Sequence, residues 1–495
     1  NFFAIFYLTD TLFSESIENI LLLCYTYYEN NIREGSVMSS IDVHGKKLPV
    51  PSFFQVYNFG GGNGDKDREI VYSEFTGDTP ALMNYFYINN NYPHIFQNNL
   101  FNNIDSFNTV GDLYNYIRKS LIKKGEIYFG YSSPEYDFNQ KVFLLDSGAF
   151  SIVKFVAEKV RYDIKAFTEE IVLHARAYYD FAEKLKFDIV VGFDLGGKYT
   201  EKDGEGSNVA LSTFLSKIDA AAINNLLLEE TAKYIVEHPN YYPHILATVH
   251  GATPDEYRGN VQHILGLEAK YGVKFWGFAL GGIASYKQVD ATWYNDINLS
   301  KIGKRGFIET ITPARACKIV RELAGSRPIH ALGCGGYNNI ALNYYCGATS
   351  FDAASPVRRV GDGNLASTKI VFNPTPSKEG FSKYFMGGIN ADGSMREEDC
   401  RYIKLNEVPD TMALCGCAAC KAAESVHNIK VLYSMKEKDG EANYFSRQLI
   451  GLHAVLQHRM LCEQIAQYDS IYDFCKAYPN KLNLGLQCIY SQMKK

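Results

Sequence analysis

The chain has 495 residues, about three times a typical domain length, so one to three domains are expected. Hydrophobic content of 46% with 21% charged residues is ordinary for a globular protein, and a net charge of −5 argues against a surface coated in basic groups for nucleic acid, leaving room only for a local basic groove. An odd number of cysteines, 11, in so long a chain reads as a reduced, cytoplasmic protein with a metal site, not as a disulfide framework.

Residues 1–40 read as helical, with apolar spacing in SESIENILLLCYTYYENNI. Neither apolar run near the start approaches the ~20 residues of a membrane span, so no membrane association is expected. The chain begins at Asn, as a fragment or a processed protein does. Residues 41–75 read as extended, and the Gly-rich FGGGNGDKDRE lacks the Gly-Lys-Ser/Thr ending of a phosphate loop, so it reads as a turn. Residues 76–140 are rich in Asn and Tyr, with one clear helix around VGDLYNYIRKSLIKKG.

From residue 141 short apolar runs alternate with amphipathic stretches. The runs are VFLLD (142–146), FDIVVGFD (187–194), HILATVHG (244–251), VKFWGFALGG (273–282), PIHALGCGG (328–336) and ATSFDAASP (348–356). Continuously apolar strands separated by helices imply a parallel sheet buried on both faces. No dinucleotide Gly fingerprint follows any strand, so a (β/α)₈ barrel is expected over a doubly wound sheet. The expected organisation is an N-terminal extension over 1–140, which could hold the first barrel strands, a barrel core over 141–395, a zinc-binding subdomain over 396–470 and a helical tail over 471–495.

Barrel sites sit at the C-terminal ends of the strands. Asp146, Asp194, His250 and Asp352 fall there, with Gly281, Gly282 and Gly333. A single strand-end Asp is more often a helix cap or turn former. Three of them, with a His, at successive strand ends point instead to a polar site. Further along, Cys415, Cys417 and Cys420 form C-x-C-x₂-C, a spacing that can wrap one tetrahedral zinc. The fourth ligand has to come from elsewhere: His453, His458, Cys400 and His427 are candidates. Three Cys and one His leave no open position, so such a zinc is structural.

In this order, DSGAFS (146–151), Asp194, ALGGIASYK (279–287), HALGCGG (330–336), SFDAASPVRRVGDG (350–363) and CGCAAC with a downstream His resemble the tRNA-guanine transglycosylase superfamily, with a weaker echo in KKLPVPSFFQV (46–56). The resemblance implies a (β/α)₈ barrel with an inserted zinc subdomain, and exchange of guanine in a nucleic acid for a 7-deazaguanine. It assigns Asp352 as nucleophile and Asp146 as general acid/base. Asp194 would read the Watson–Crick edge of guanine, and Ser147, Gly281, Gly282 and Gly333 would lie at the base. Phe150 and Leu332 would sandwich it, Arg358 and Arg359 would approach the nucleic-acid backbone, and Cys415, Cys417, Cys420 and His453 would hold Zn²⁺. Lys301, Lys304 and Arg305 are further basic candidates from the sequence itself. No redox cofactor is implied.

The chain departs from that pattern in particular places. His250 stands where the tRNA enzymes have Gln, and IASYK replaces the usual residues after Gly-Gly. VRRVGDG replaces an Arg/Asn-rich stretch, His453-Ala-Val replaces His-Asn-Leu, and the spacing from Cys420 to His453 is longer. These changes lie where polymer and 7-substituent are read, and the two Asp positions remain. The DNA-modifying branch is therefore the favoured expectation, over the queuine- or archaeosine-type tRNA enzymes. Partner proteins that open duplex DNA, and a homodimer, fit that expectation. Two rival readings differ in class: a non-catalytic accessory subunit, which would have lost the carboxylates, and a metal-dependent lyase or aldolase ligating its metal through the strand-end Asp and His residues.

Overall fold

The computed structural model describes residues 39–57, 79–88, 106–116, 138–196, 209–283, 290–297, 304–336, 339–353, 364–366, 402–404, 454–478 and 481–493. Its centre is a closed, all-parallel barrel of eight strands in sequence order. They are β1 (Ser52–Tyr57), β2 (Ala81–Asn84), β3 (Phe143–Asp146), β4 (Ile189–Val191), β5 (His244–Val249), β6 (Gly277–Leu280), β7 (Ile329–Ala331) and β8 (Ser350–Asp352). β8 closes on β1 with Phe351 opposite Phe53. The expected (β/α)₈ barrel is present, and its first two strands lie within 52–84. The barrel therefore runs from 52 to 352, beginning earlier than the 141–395 core expected from the sequence.

The strands are mostly apolar because each has two buried faces. Phe54, Leu82, Leu144, Ile189, Val191, Leu246 and Ala279 fill the inside. Their neighbours, among them Phe53, Phe143, Leu145, Val190, Ala247 and Phe278, face the helices. That alternation follows from the two-residue period of a strand. The helices include α1 (Ala149–Lys159), α2 (Ile164–Lys184), α3 (Val209–Leu215), α4 (Ala220–Glu237), α5 (Pro254–Tyr271), α6 (Lys304–Ala324) and α7 (Ile340–Tyr345). Side chains of Asp163, Asp219 and Thr253 accept backbone N–H groups at the starts of α2, α4 and α5, which satisfies donors that a helix start leaves open.

A hairpin, Ser40–Val43 against Lys46–Pro49, lies before β1. Its Val43 and Leu48 join the inner apolar cluster, so it plugs the N-terminal mouth. Lys46 Nζ lies 2.8 Å from Asp188 of the β4 entrance, and Asp188 also accepts the Phe143 N–H at 2.8 Å. His44 stacks between Tyr242 and His244, and His244 stacks on Trp276. Burial, and then the neighbouring His44, push the His244 pKa down to about 4.

After β8 the chain comes back to the barrel in a helix over 454–465. His458 on it packs its ring 4.6 Å from that of Phe53 in β1, and Tyr345 of α7 donates to the carbonyl of Ile465 at 3.0 Å. A helix in contact with both β1 and α7 stands where the eighth barrel helix belongs. Residues 454–470, assigned from sequence to a zinc subdomain, thus pack on the barrel. Two further helices, α8 (Ile471–Ala477) and α9 (Lys481–Met493), follow in the expected helical tail. Among the described residues no helix is long and apolar enough to cross a membrane.

Candidate active site

Every barrel strand delivers its last residue to the same rim. Asp146 ends β3, Asp352 ends β8, Asp194 lies three residues past the end of β4, and His250 follows β5 directly. Gly281–Gly282 follow β6, and Leu332–Gly333 follow β7. The residues read from the sequence as a strand-end set are therefore brought together at the C-terminal mouth.

Asp146 is held through one oxygen. Its Oδ2 accepts the Asn84 amide at 3.0 Å and the Gly148 N–H at 3.1 Å. The orientation of Asn84 is fixed in turn, because its Oδ1 accepts the Tyr87 N–H at 3.2 Å. Gly148 has φ +74, and a Cβ there would come within 2.4 Å of Asn84 Oδ1, so only glycine allows this close turn. Burial pushes the Asp146 pKa up to about 7, and the negative charges of Asp194 and Asp352 add to the rise. Ser147, next in the chain, is fully buried, and its Oγ has no hydrogen-bond partner among the described residues.

Asp194 Oδ2 accepts the Gly196 N–H at 3.1 Å and lies 2.9 Å from His250 Nε2. The contact is close, but the ring N–H is poorly aligned for a hydrogen bond. The loop behind Asp194 is clamped by buried Asn224, which accepts the Leu195 N–H and donates to the Gly196 carbonyl. The His250 ring lies close against Gly281, where any Cβ would come within 2.4 Å of it.

Asp352 Oδ1 accepts the Gly333 N–H at 2.7 Å and lies 3.3 Å from His330 Nε2. His330 Nδ1 is 2.9 Å from Ser350 Oγ. In the barrel register Ser350 pairs with His330, which is why one side chain reaches the other.

Asn84 and His330 were not singled out from the sequence. Asn84 ends a four-residue strand inside an Asn- and Tyr-rich stretch, and His330 sits inside an apolar run. Phe150 opens α1, and its side chain lies outside the described residues, as do those of Lys304 and Arg305 at the start of α6. Arg358, Arg359, Lys301, Cys400, Cys415, Cys417, Cys420, His427 and His453 also lie outside them. The alternative zinc ligand His458 is buried, with its ring on Phe53 and its Nδ1 2.6 Å from the Ala454 carbonyl.

The arrangement offers a carboxylic acid that is half protonated near neutral pH, a carboxylate with one oxygen anchored by a backbone donor, and a third carboxylate beside an imidazole. These suit proton transfer, nucleophilic attack and recognition of a base edge. No family model matches the chain, and no curated protein matches it.

Proposed function

We propose that this protein is a transglycosylase that exchanges guanine in a nucleic acid, with DNA as the favoured polymer, for a 7-deazaguanine base. The observation that carries the reading is the convergence of Asp146, Asp194 and Asp352 on one mouth of the barrel, close enough for two of them to raise the pKa of the third.

In this scheme Asp352 attacks C1′ of the target nucleotide. A bond forms from the carboxylate oxygen to C1′, and the C1′–N9 bond breaks. Its electron pair passes to the departing guanine, which takes a proton from Asp146. The incoming 7-deazaguanine then gives its N9 proton to Asp146 and attacks C1′, and the carboxylate leaves with its electron pair. A carboxyl whose pKa lies near 7 can serve as acid in the first step and as base in the second. Asp194 would accept hydrogen bonds from the guanine N1–H and amino groups, and the unpartnered Ser147 hydroxyl would contact the base. The target base has to leave its stack to reach this pocket, so duplex DNA calls for opening, by partner proteins or by the enzyme itself.

The donor set Cys415, Cys417, Cys420 and His453 suits a structural zinc by its chemistry: three soft thiolates and an imidazole, enough to fill a tetrahedron. Bound zinc would cross-link the segment ahead of the helix over 454–465. A homodimer fits the same reading.

The test is base exchange with labelled guanine, offering genomic DNA and total tRNA separately, beside Asp352→Ala. We expect label in DNA, and none with the variant. Label in tRNA alone would overturn the choice of polymer. Absence of label from both would overturn the reading.

A further inference from the structure

We propose that His330 is a positioning residue for the nucleophile: through its ring Nε2 it supports Oδ1 of Asp352, leaves Oδ2 as the attacking oxygen, and helps the carboxylate leave again in the second half-reaction. The inference rests on the transglycosylase reading above.

The two carboxylate oxygens of Asp352 are not equivalent. Oδ1 takes the Gly333 N–H at 2.7 Å and faces His330 Nε2 at 3.3 Å. An oxygen with two donors about it is a poor nucleophile, so attack falls to Oδ2. His330 is 1% exposed, between β8 and the ring of Phe54, whose edge-on contact has a centroid separation of 5.4 Å. Ser350 touches the other ring nitrogen. Its hydroxyl, 2.9 Å from Nδ1, can donate there, and a neutral ring that accepts at Nδ1 carries its proton on Nε2, toward Asp352. The 3.3 Å separation is loose and poorly aligned, as hydrogen bonds in substrate-free sites often are before they tighten.

The chemical consequence is directional. While the glycosyl ester exists, Oδ2 is bonded to C1′ and Oδ1 is a carbonyl oxygen of low charge. When the incoming base attacks C1′, the C1′–Oδ2 bond breaks and negative charge spreads back over both oxygens. A donor at Oδ1 is worth most in that step, because charge develops there. Removing it should slow release of the sugar from Asp352 more than its capture.

The experiment uses the full chain, a guanine-containing oligonucleotide and labelled guanine as the incoming base. Turnover and the fraction of enzyme held as covalent adduct at steady state are measured together. We expect His330→Phe to lower kcat on the order of a hundredfold while the adduct fraction rises. His330→Gln, a neutral side chain that can still place an amide N–H near Oδ1, should recover most of the turnover and return the adduct fraction toward wild type. A fall in turnover with no rise in adduct, or failure of Gln where a cationic His330→Lys succeeds, would overturn the proposal. Wild-type enzyme that forms no adduct and exchanges no base would instead overturn the reading on which it rests, so the two failures are distinguishable. Circular dichroism of both variants separates loss of fold from loss of the step.

Discussion

The Asn84 amide donates to Oδ2 of Asp146 at 3.0 Å while its own Oδ1 accepts the Tyr87 N–H, so the end of β2 fixes the carboxyl at the end of β3. A donor aimed at a carboxylate favours its ionised form. Asn84→Ala should therefore raise the Asp146 pKa further and leave the group less well placed. We expect exchange to fall on the order of tenfold to a hundredfold, and the alkaline limb of the pH–rate profile to move up. A limb that stays put, or moves down, would show that Asn84 does not hold Asp146.

Asp146 also leaves a signature in stability. Its folded pKa of about 7 lies above the ordinary aspartate value of 3.8, so the folded chain keeps a proton that the unfolded chain gives up. Folding stability then falls as pH rises through that window, and the loss is complete above it. Asp146→Asn removes the effect. The variant should match wild type at pH 3.5, then become more stable by an amount that grows to a few kcal/mol near pH 8, while losing exchange activity. Denaturant titrations at several pH values check this, and a pH-independent difference would contradict it. His244 acts the other way in wild type, because a depressed His pKa makes stability fall as pH drops from 6.5 to about 4. Comparing variant with wild type at each pH cancels that contribution.

Much of this was legible in the sequence, and physical reasons explain which parts. β3 through β8 stand out as mostly apolar runs because both of their faces are buried, and Asp146, Asp194 and Asp352 stand out as the acidic residues at the ends of such runs. β1 reads only as part of the extended stretch over 41–75, because Ser52 and Gln55 break its apolar run although both are buried, and β2 hides because it is only four residues long. The eighth barrel helix is separated from β8 by residues 354–453, a distance that periodicity cannot bridge. Asn84 and His330 act through contacts between strands far apart in the chain or held in register, and neither carries a local motif.

The third carboxylate should govern recognition, not chemistry. Asp194 is clamped by the Gly196 N–H beside His250, and a guanine edge offers it two N–H donors. Asp194→Ala should lower kcat/KM for guanine on the order of a thousandfold, while affinity for the polymer backbone changes little. Exchange kinetics alongside filter binding check this. Equal losses in both would mean that Asp194 supports the fold of the mouth and not the base.

At the opposite end, Asp188 is fully buried and meets Lys46 of the plugging hairpin at 2.8 Å. Burial raises its pKa, against the lowering by Lys46. Asp188→Ala would leave the Lys46 ammonium with the Lys141 carbonyl but without its counter-charge, and strand the Phe143 N–H, at a cost on the order of 3 kcal/mol. Activity per folded molecule at 25 °C should be unchanged, since the site lies at the other mouth. Thermal melts with active-site titration check this. Lost activity with unchanged stability would contradict it.

The most direct measurement is the identity of the covalent adduct. The enzyme is incubated with a guanine-containing DNA oligonucleotide, acid-quenched, digested with protease and nuclease, and examined by peptide mass spectrometry. We expect a glycosyl mass on the peptide carrying Asp352, absent from Asp352→Ala and discharged by added base. Base exchange without any such adduct, or an adduct on Asp146 or Asp194 instead, would contradict the assignment of Asp352 as nucleophile.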